Sequence, residues 1–184
     1  MITLTTKDYR LTPIEIHDAD ALFPIFNDKD TMAFITPHPV ETIEEMTEKI
    51  ENIKAKVKEE KELAWTIKTK EKNLVIGVFR FHKWHKWHQK AEMNAIISHH
   101  YQKTGVMSQL LPVVLEYGFC NLNLNRIVGD IFATNEGSKR LLLKHDFHCD
   151  GVLRQTDFDG ERFHDTVVYS LLKDEYRAVR ERWT

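Results

Sequence analysis

Six consecutive residues, Gln102-Lys103-Thr104-Gly105-Val106-Met107, have the makings of an anion-gripping turn. They stand between a mostly apolar run of strand length, residues 91–98, and a segment where Val106, Leu110, Val113, Val114, Tyr117 and Phe119 recur near helical spacing. A strand that turns sharply into a helix exposes the helix's first backbone N–H groups. Those unpaired donors, with the positive end of the helix dipole, attract phosphate. Gly105 permits a tight turn and a close approach of backbone to ligand. A second collection is His82-Lys83-Trp84-His85-Lys86-Trp87-His88. Histidine at every third position invites a metal reading. Yet the run holds no carboxylate or thiolate, and a hairpin loop splays its rings, whereas a metal needs convergent, supported ligands. We expect no metal there, and an exposed loop whose indoles pack on the sheet edge.

The elements that must position these residues follow from pattern. Residues 2–13 read as a first strand with a turn or bulge near Lys7-Asp8. His17-Asp18-Ala19-Asp20 supplies N-cap chemistry for a helix carrying Ala21, Leu22, Ile25 and Phe26. Thr36-Pro37-His38-Pro39 is a loop. Thr42-Ile43-Glu44-Glu45 is a capping box opening a long helix with Ile43, Met46, Ile50, Ile53 and Val57 on one stripe. Residues 64–69 and 74–81 read as strands around a turn at Glu71-Lys72-Asn73. Pro112 predicts a kink in the helix that follows Gly105. Residues 126–134 read as a strand and 135–145 as a short helix. Residues 152–158 and 163–172 form a hairpin closed by Asp159-Gly160, and a charged, frayed helix ends the chain.

The 184 residues suit one domain, 1–184, with a real core. A net charge of -2 argues against a general nucleic-acid surface. No apolar run is long enough to span a bilayer, and the first ten residues lack the apolar core of a secretory signal. Two cysteines suggest no disulfide framework and fit a reducing cytoplasm. Neither Gly-x-x-x-x-Gly-Lys-(Ser/Thr) nor Gly-x-Gly-x-x-Gly occurs, so nucleotide-hydrolase and dinucleotide-dehydrogenase readings fail.

One succession of motifs is specific. Ala91-Glu92-Met93 opens a strand, and Tyr101 precedes the turn that carries Gln102, Gly105 and Met107. Leu115-Glu116-Tyr117-Gly118-Phe119 ends the helix, and Leu124-Asn125-Arg126-Ile127 and Asn135-Glu136-Gly137-Ser138 follow. Together they resemble the GNAT acetyltransferase superfamily, in the branch of ribosomal-protein N-terminal (RimJ/RimL-type) acetyltransferases. The chain departs from that pattern at Met107, where a small residue is common, and at Lys103 and Asp146, where glycine is usual.

The resemblance implies an α/β (α+β) GNAT fold: a mixed central sheet of about seven strands, splayed between its two middle parallel strands, with about four flanking helices. It implies acetyl-CoA as co-substrate, with no metal, and direct acetyl transfer to a primary amine. The acceptor would be a small molecule (a polyamine or an amino acid) or a protein N-terminus, and a homodimer is compatible. Pantetheine would pair with backbone of Ile96, Ile97 and Ser98, and pyrophosphate would sit on Gln102, Lys103, Thr104, Gly105, Val106 and Met107. Asn135 would bond the pantetheine arm. Ser138 is the candidate near the sulfur, or an ordinary first-turn serine. Many relatives place a tyrosine acid some residues into this helix, where Leu142 stands here. Glu92 is the candidate base through a water, or a strand carboxylate paired with a cation such as Lys90. Phe34, Ile35, Met46 and Trp84 or Trp87 would line the acceptor groove, or Phe34, Ile35 and Met46 are plain core. The rival function is a non-catalytic CoA-binding or partner-binding module on the same fold.

Overall fold

The computed structural model describes residues 1–183. Eight strands, β1 (Leu4–Thr5), β2 (Tyr9–Pro13), β3 (Leu63–Thr69), β4 (Val75–His85), β5 (Lys90–Ile97), β6 (Arg126–Phe132), β7 (His148–Phe158) and β8 (Phe163–Leu172), form one sheet in the order β1-β2-β3-β4-β5-β6-β8-β7. Among the described residues six α-helices flank it: α1 (Ala19–Asn27), α2 (Lys29–Met32), α3 (Ile43–Lys58), α4 (Val106–Glu116), α5 (Glu136–Lys144) and α6 (Lys173–Val179). Every neighbouring pair of strands is antiparallel except β5–β6, which is parallel. The eighth strand arises because the predicted first strand breaks at Thr6–Asp8. There the Thr6 hydroxyl accepts the Tyr9 N–H at 3.0 Å, and Gln109 of α4 accepts the Asp8 N–H at 3.1 Å.

The two faces of the sheet carry separate cores. Val106, Leu110 and Leu111 of α4, Leu142 of α5 and Tyr176 of α6 pack with Trp65, Phe79, Phe81 and Ile127. On the other face Leu22, Ile25 and Phe26 of α1 and Met46, Ile50 and Ile53 of α3 cover Ala64, Val78 and Ile96. That second cluster ends at Ile96; beyond it the same face carries the buried Val128, Thr166 and Ser170 of β6 and β8 and the exposed Asp130. Thr42 caps α3 by accepting the Glu45 N–H at 3.1 Å, while the Glu45 carboxylate takes the Glu41 N–H instead of the expected Thr42 N–H. α4 carries Pro112 without a break and widens into a π turn over Tyr117–Asn121.

Two expectations need correction. The C-terminal helix is docked, not frayed: Tyr176, 2% exposed, stacks on Phe119 at 4.7 Å, and its hydroxyl donates to the Glu116 carboxylate. The histidine run is also no loop. β4 continues to His85 through a register shift between His82 and His85, and only residues 86–89 turn.

Asp18, 3% exposed, ties α1 to the sheet. It accepts from the Glu15 N–H at 3.0 Å, the Thr66 hydroxyl at 2.8 Å and the Lys68 ammonium at 2.9 Å. Burial alone would raise its pKa; the bonds from Lys68, Thr66 and Glu15 outweigh burial and hold the carboxyl below its ordinary value. A depressed folded pKa gives stability that is present above the unfolded value and lost as pH falls through the folded one. Asp18→Ala should therefore lose about 2 kcal/mol at neutral pH, since it strands buried partners. Its urea midpoint should also respond less to acid below the ordinary carboxylate range than the wild type's. A neutral-pH midpoint equal to wild type would refute this role.

Candidate active site

The anion turn is built as its residues demand. Gly105 is the N-cap of α4 at φ 90°, left-handed, and Lys103 is left-handed too, at φ 62°. The turn is latched to the end of β5, where the Gln102 side-chain amide donates to the Ile97 carbonyl at 3.0 Å. The Thr104 hydroxyl donates to the Tyr101 carbonyl at 2.8 Å. Helix geometry leaves the N–H groups of the first turn of α4 without backbone partners. A Cβ built on Gly105 would meet nothing within 4 Å, so the space over these donors is open. A pyrophosphate fits that combination of open space and orphan donors.

Beside the turn the sheet parts. β5 and β6 pair only through Lys90–Arg126, Ala91–Ile127 and Glu92–Val128, although both strands continue beyond. The Ser98 N–H is donated to the Ile76 carbonyl of β4 at 2.9 Å. Backbone groups alternate between the two edges of a strand, so Ser98 and Ile96 face β4 while Ile97 and Ala95 face the gap. Across the gap, Asn135 caps α5: its side-chain oxygen accepts the Ser138 N–H at 3.0 Å. The Ser138 hydroxyl, in that first turn, makes no hydrogen bond among the described residues. Leu142 is 3% exposed and belongs to the core.

Where the strands part, charged groups gather on the side of the sheet that carries α1 and α3. Glu92 is paired with Lys83 at 2.7 Å, not with Lys90. Lys83 reaches it from the β4 register shift, with φ 47°. Its hydrogen bond to Glu92 is the largest cause that holds the Lys83 pKa above the ordinary lysine value. Asp130 of β6 is pushed up by burial and by the charges of Glu92 and Asp157, against the opposing pull of Lys83. Neighbouring walls come from the turn after α2 and from β6 and β8. Phe34 meets Phe132 edge-on at 6.4 Å, and Phe132 stacks on His164 at 5.2 Å. A cleft of about 660 Å³ opens between α3, residues 38–41 and Arg80.

The predicted groove residues divide. Phe34 and Ile35 are 46% and 38% exposed, whereas Met46 is fully buried, a core residue. Trp84 is partly buried with the Lys86 ammonium 5.1 Å from its ring, while Trp87 is 91% exposed at the hairpin tip. Among the described residues no group of three or more His, Cys, Asp or Glu converges on a metal position. Sequence reasoning missed Lys83, Asp130 and Ala95. The alternation of Ala95 along β5 was a usable signal; the reach of Lys83 depends on the register shift, which has none.

A sheet that parts beside a helix N-terminus and a glycine turn is the arrangement the resemblance implied, and comparison with known proteins gives the family. Residues 9–148 match the acetyltransferase (GNAT) domain, and the chain belongs to that family as an N-acetyltransferase. It is 33% identical to the uncharacterized N-acetyltransferase YoaA of Bacillus subtilis, over 92% of this chain and 96% of that one. The fold is shared with RimL, a ribosomal L7/L12 α-N-protein acetyltransferase solved with coenzyme A: TM-score 0.87 and 17% identity, covering 95% of this chain and 99% of that one. It is shared too with the spermidine N-acetyltransferase of Vibrio cholerae solved with CoA and spermine: TM-score 0.82 and 23% identity, covering 92% and 98%.

Proposed function

We propose that the chain moves an acetyl group from acetyl-CoA directly to a primary amine, a protein N-terminus or a small amine, in one ternary complex. The observation that carries this reading is the parting of β5 and β6 after Glu92 and Val128, with the α4 turn beside it. The turn of residues 102–107 holds the pyrophosphate, and the gap takes the pantetheine arm against Ile97 and Ala95. The free side-chain N–H groups of Asn135 face the same arm. Acetyl-CoA supplies a thioester whose carbonyl carbon the amine attacks. One gap-facing amide of β5 donates to the carbonyl oxygen as it becomes negative. Glu92 draws the amine's ammonium and starts its proton away through a water. In this reading the Ser138 hydroxyl donates to the departing sulfur. Two exposed free thiols, Cys120 and Cys149, fit a reducing, cytoplasmic setting.

An acceptor panel with spermidine, free amino acids and serine-initiated peptides, followed by thiol release, tests the reading. Amine-dependent CoA release supports it; acetyl-CoA binding with no transfer to any amine overturns it. Given one acceptor, Ser138→Ala should lower kcat by about 10²-fold or less, because water can substitute for a hydroxyl donor. Glu92→Gln should cost more, and more at neutral than at alkaline pH, where the amine is already neutral. Wild-type kcat in both variants would mean that positioning alone carries the reaction.

A further inference from the structure

Sequence alone cast residues 82–88 as loop; the structure turns one of them into the site. His82 lies in β4 directly opposite Glu92 of β5. Residues directly opposite in an antiparallel pair share a face, with Cβ atoms about 4.5–5.5 Å apart. His82 therefore stands on the same face as Glu92, where β5 and β6 part. It is half-buried, and its imidazole has no hydrogen-bond partner among the described residues. His85 and His88, by contrast, are exposed and lie against each other at 5.5 Å. Glu92 itself is tied to Lys83, so its carboxylate already has a cation partner.

We propose that His82 is the proton acceptor of the transfer, a catalytic residue whose imidazole takes the amine's proton directly or through the water that Glu92 orients. This deepens the reading of the Glu92 face as the acceptor side and rests on it. The acceptor arrives as R–NH3⁺. One proton passes to His82, and the freed lone pair forms the C–N bond to the acetyl carbon. The C–S bond breaks with its electron pair on sulfur. The remaining surplus proton on nitrogen goes to the thiolate, giving the neutral amide and CoA thiol. His82 then releases its proton to water.

The surroundings keep the imidazole free for this. Burial and the Arg80 charge lower its pKa from the ordinary histidine value, and Lys83 adds to them; Glu92 and Glu62 pull the other way without prevailing. On the next elements, Lys49 of α3 feels the same Arg80, and Asp130 of β6 feels the same Glu92 and Lys83. His82 therefore stays neutral to lower pH than an ordinary histidine. As pH falls through its lowered pKa the base is lost, so the rate falls.

The test has two arms. In the first, kcat/KM is measured against pH for wild type, His82→Ala and His82→Gln with an acceptor from the panel. His82→Ala should lose about 10²–10⁴-fold in kcat and the acid limb of the profile, and added imidazole should restore part of the rate. Retention of wild-type kcat and of the limb in His82→Ala overturns the proposal. In the second arm, NMR titration of the wild-type imidazoles needs no turnover. One resonance, absent from His82→Ala, should titrate below the ordinary range and move in Glu92→Gln. An ordinary titration for His82 overturns the proposal even where acetyl transfer proceeds. Calorimetry with CoA separates the failures, since a variant that binds CoA normally is folded and a wild type that transfers to no amine refutes the functional reading.

Discussion

Replacing Gly105 by valine should lower CoA affinity by at least about 100-fold, the cost of two or so charge-assisted hydrogen bonds from backbone to phosphate. Nothing of the protein lies within 4 Å of a Cβ at this position, so valine has room in the free chain. What it lacks is the conformation: φ 90° suits glycine and is hostile to a β-branched residue. The turn must either keep a strain of about 1–3 kcal/mol or rotate its N–H groups away from the phosphate. Any side chain there also projects into the space that the phosphate fills. Calorimetric titration with CoA reads the effect, and thermal unfolding, expected to shift by about 2–4 °C per kcal/mol, reports the strain separately. Unchanged CoA affinity would remove the anion turn from the site.

Gly77→Ala is expected to be the most destabilising single-methyl addition in the sheet. Its Cβ would lie 2.1 Å from the Ile96 carbonyl oxygen and 3.0 Å from the Ile97 Cα, both backbone. No side chain can swing aside to relieve that contact, so β5 itself must shift from β4, into the gap. Overpacking of this severity costs about 3 kcal/mol, or roughly 6–12 °C in Tm for a chain of this size. A displaced β5 also moves Ile97 and Ala95, so CoA affinity should fall together with Tm. An alanine variant as stable as wild type would mean that β4 and β5 do not approach as described.

What could be read from the sequence was whatever depends on local chemistry. The turn after β5 and its glycine follow from a motif whose backbone demands are fixed, while the parting of β5 from β6 was implied by the family resemblance alone. Glycine's usual place at the positions of Lys103 and Asp146 has a physical cause: both residues are left-handed here, at φ 62° and 59°. That requirement is one of backbone shape, and a lysine or aspartate in the sequence does not announce it. The continuation of β4 through His85 was hidden for a related reason. Its register shift makes the periodicity of residues 82–85 match neither a strand nor a helix. Tyr176 looked like one aromatic in a charged tail, and only packing on Phe119 reveals its anchoring role. The partner of Glu92 was missed because Lys83 is near it only in three dimensions.

Between the two halves of the sheet, β1–β5 and β6–β8, the strands pair through three residue pairs of β5 and β6, and the Asn125 and Arg126 N–H groups also donate to the Gln89 carbonyl at the same end. The molecule is in effect two leaves on a short spine, with the core around α4 pressed against one side only. Opening between the leaves breaks few backbone hydrogen bonds, so it should lie well below global unfolding in free energy. Such a hinge lets a long, thin molecule enter edgewise without the chain unfolding. Whatever lies between the leaves then serves as the missing rungs of the sheet, and its departure returns the breathing motion that admits the next.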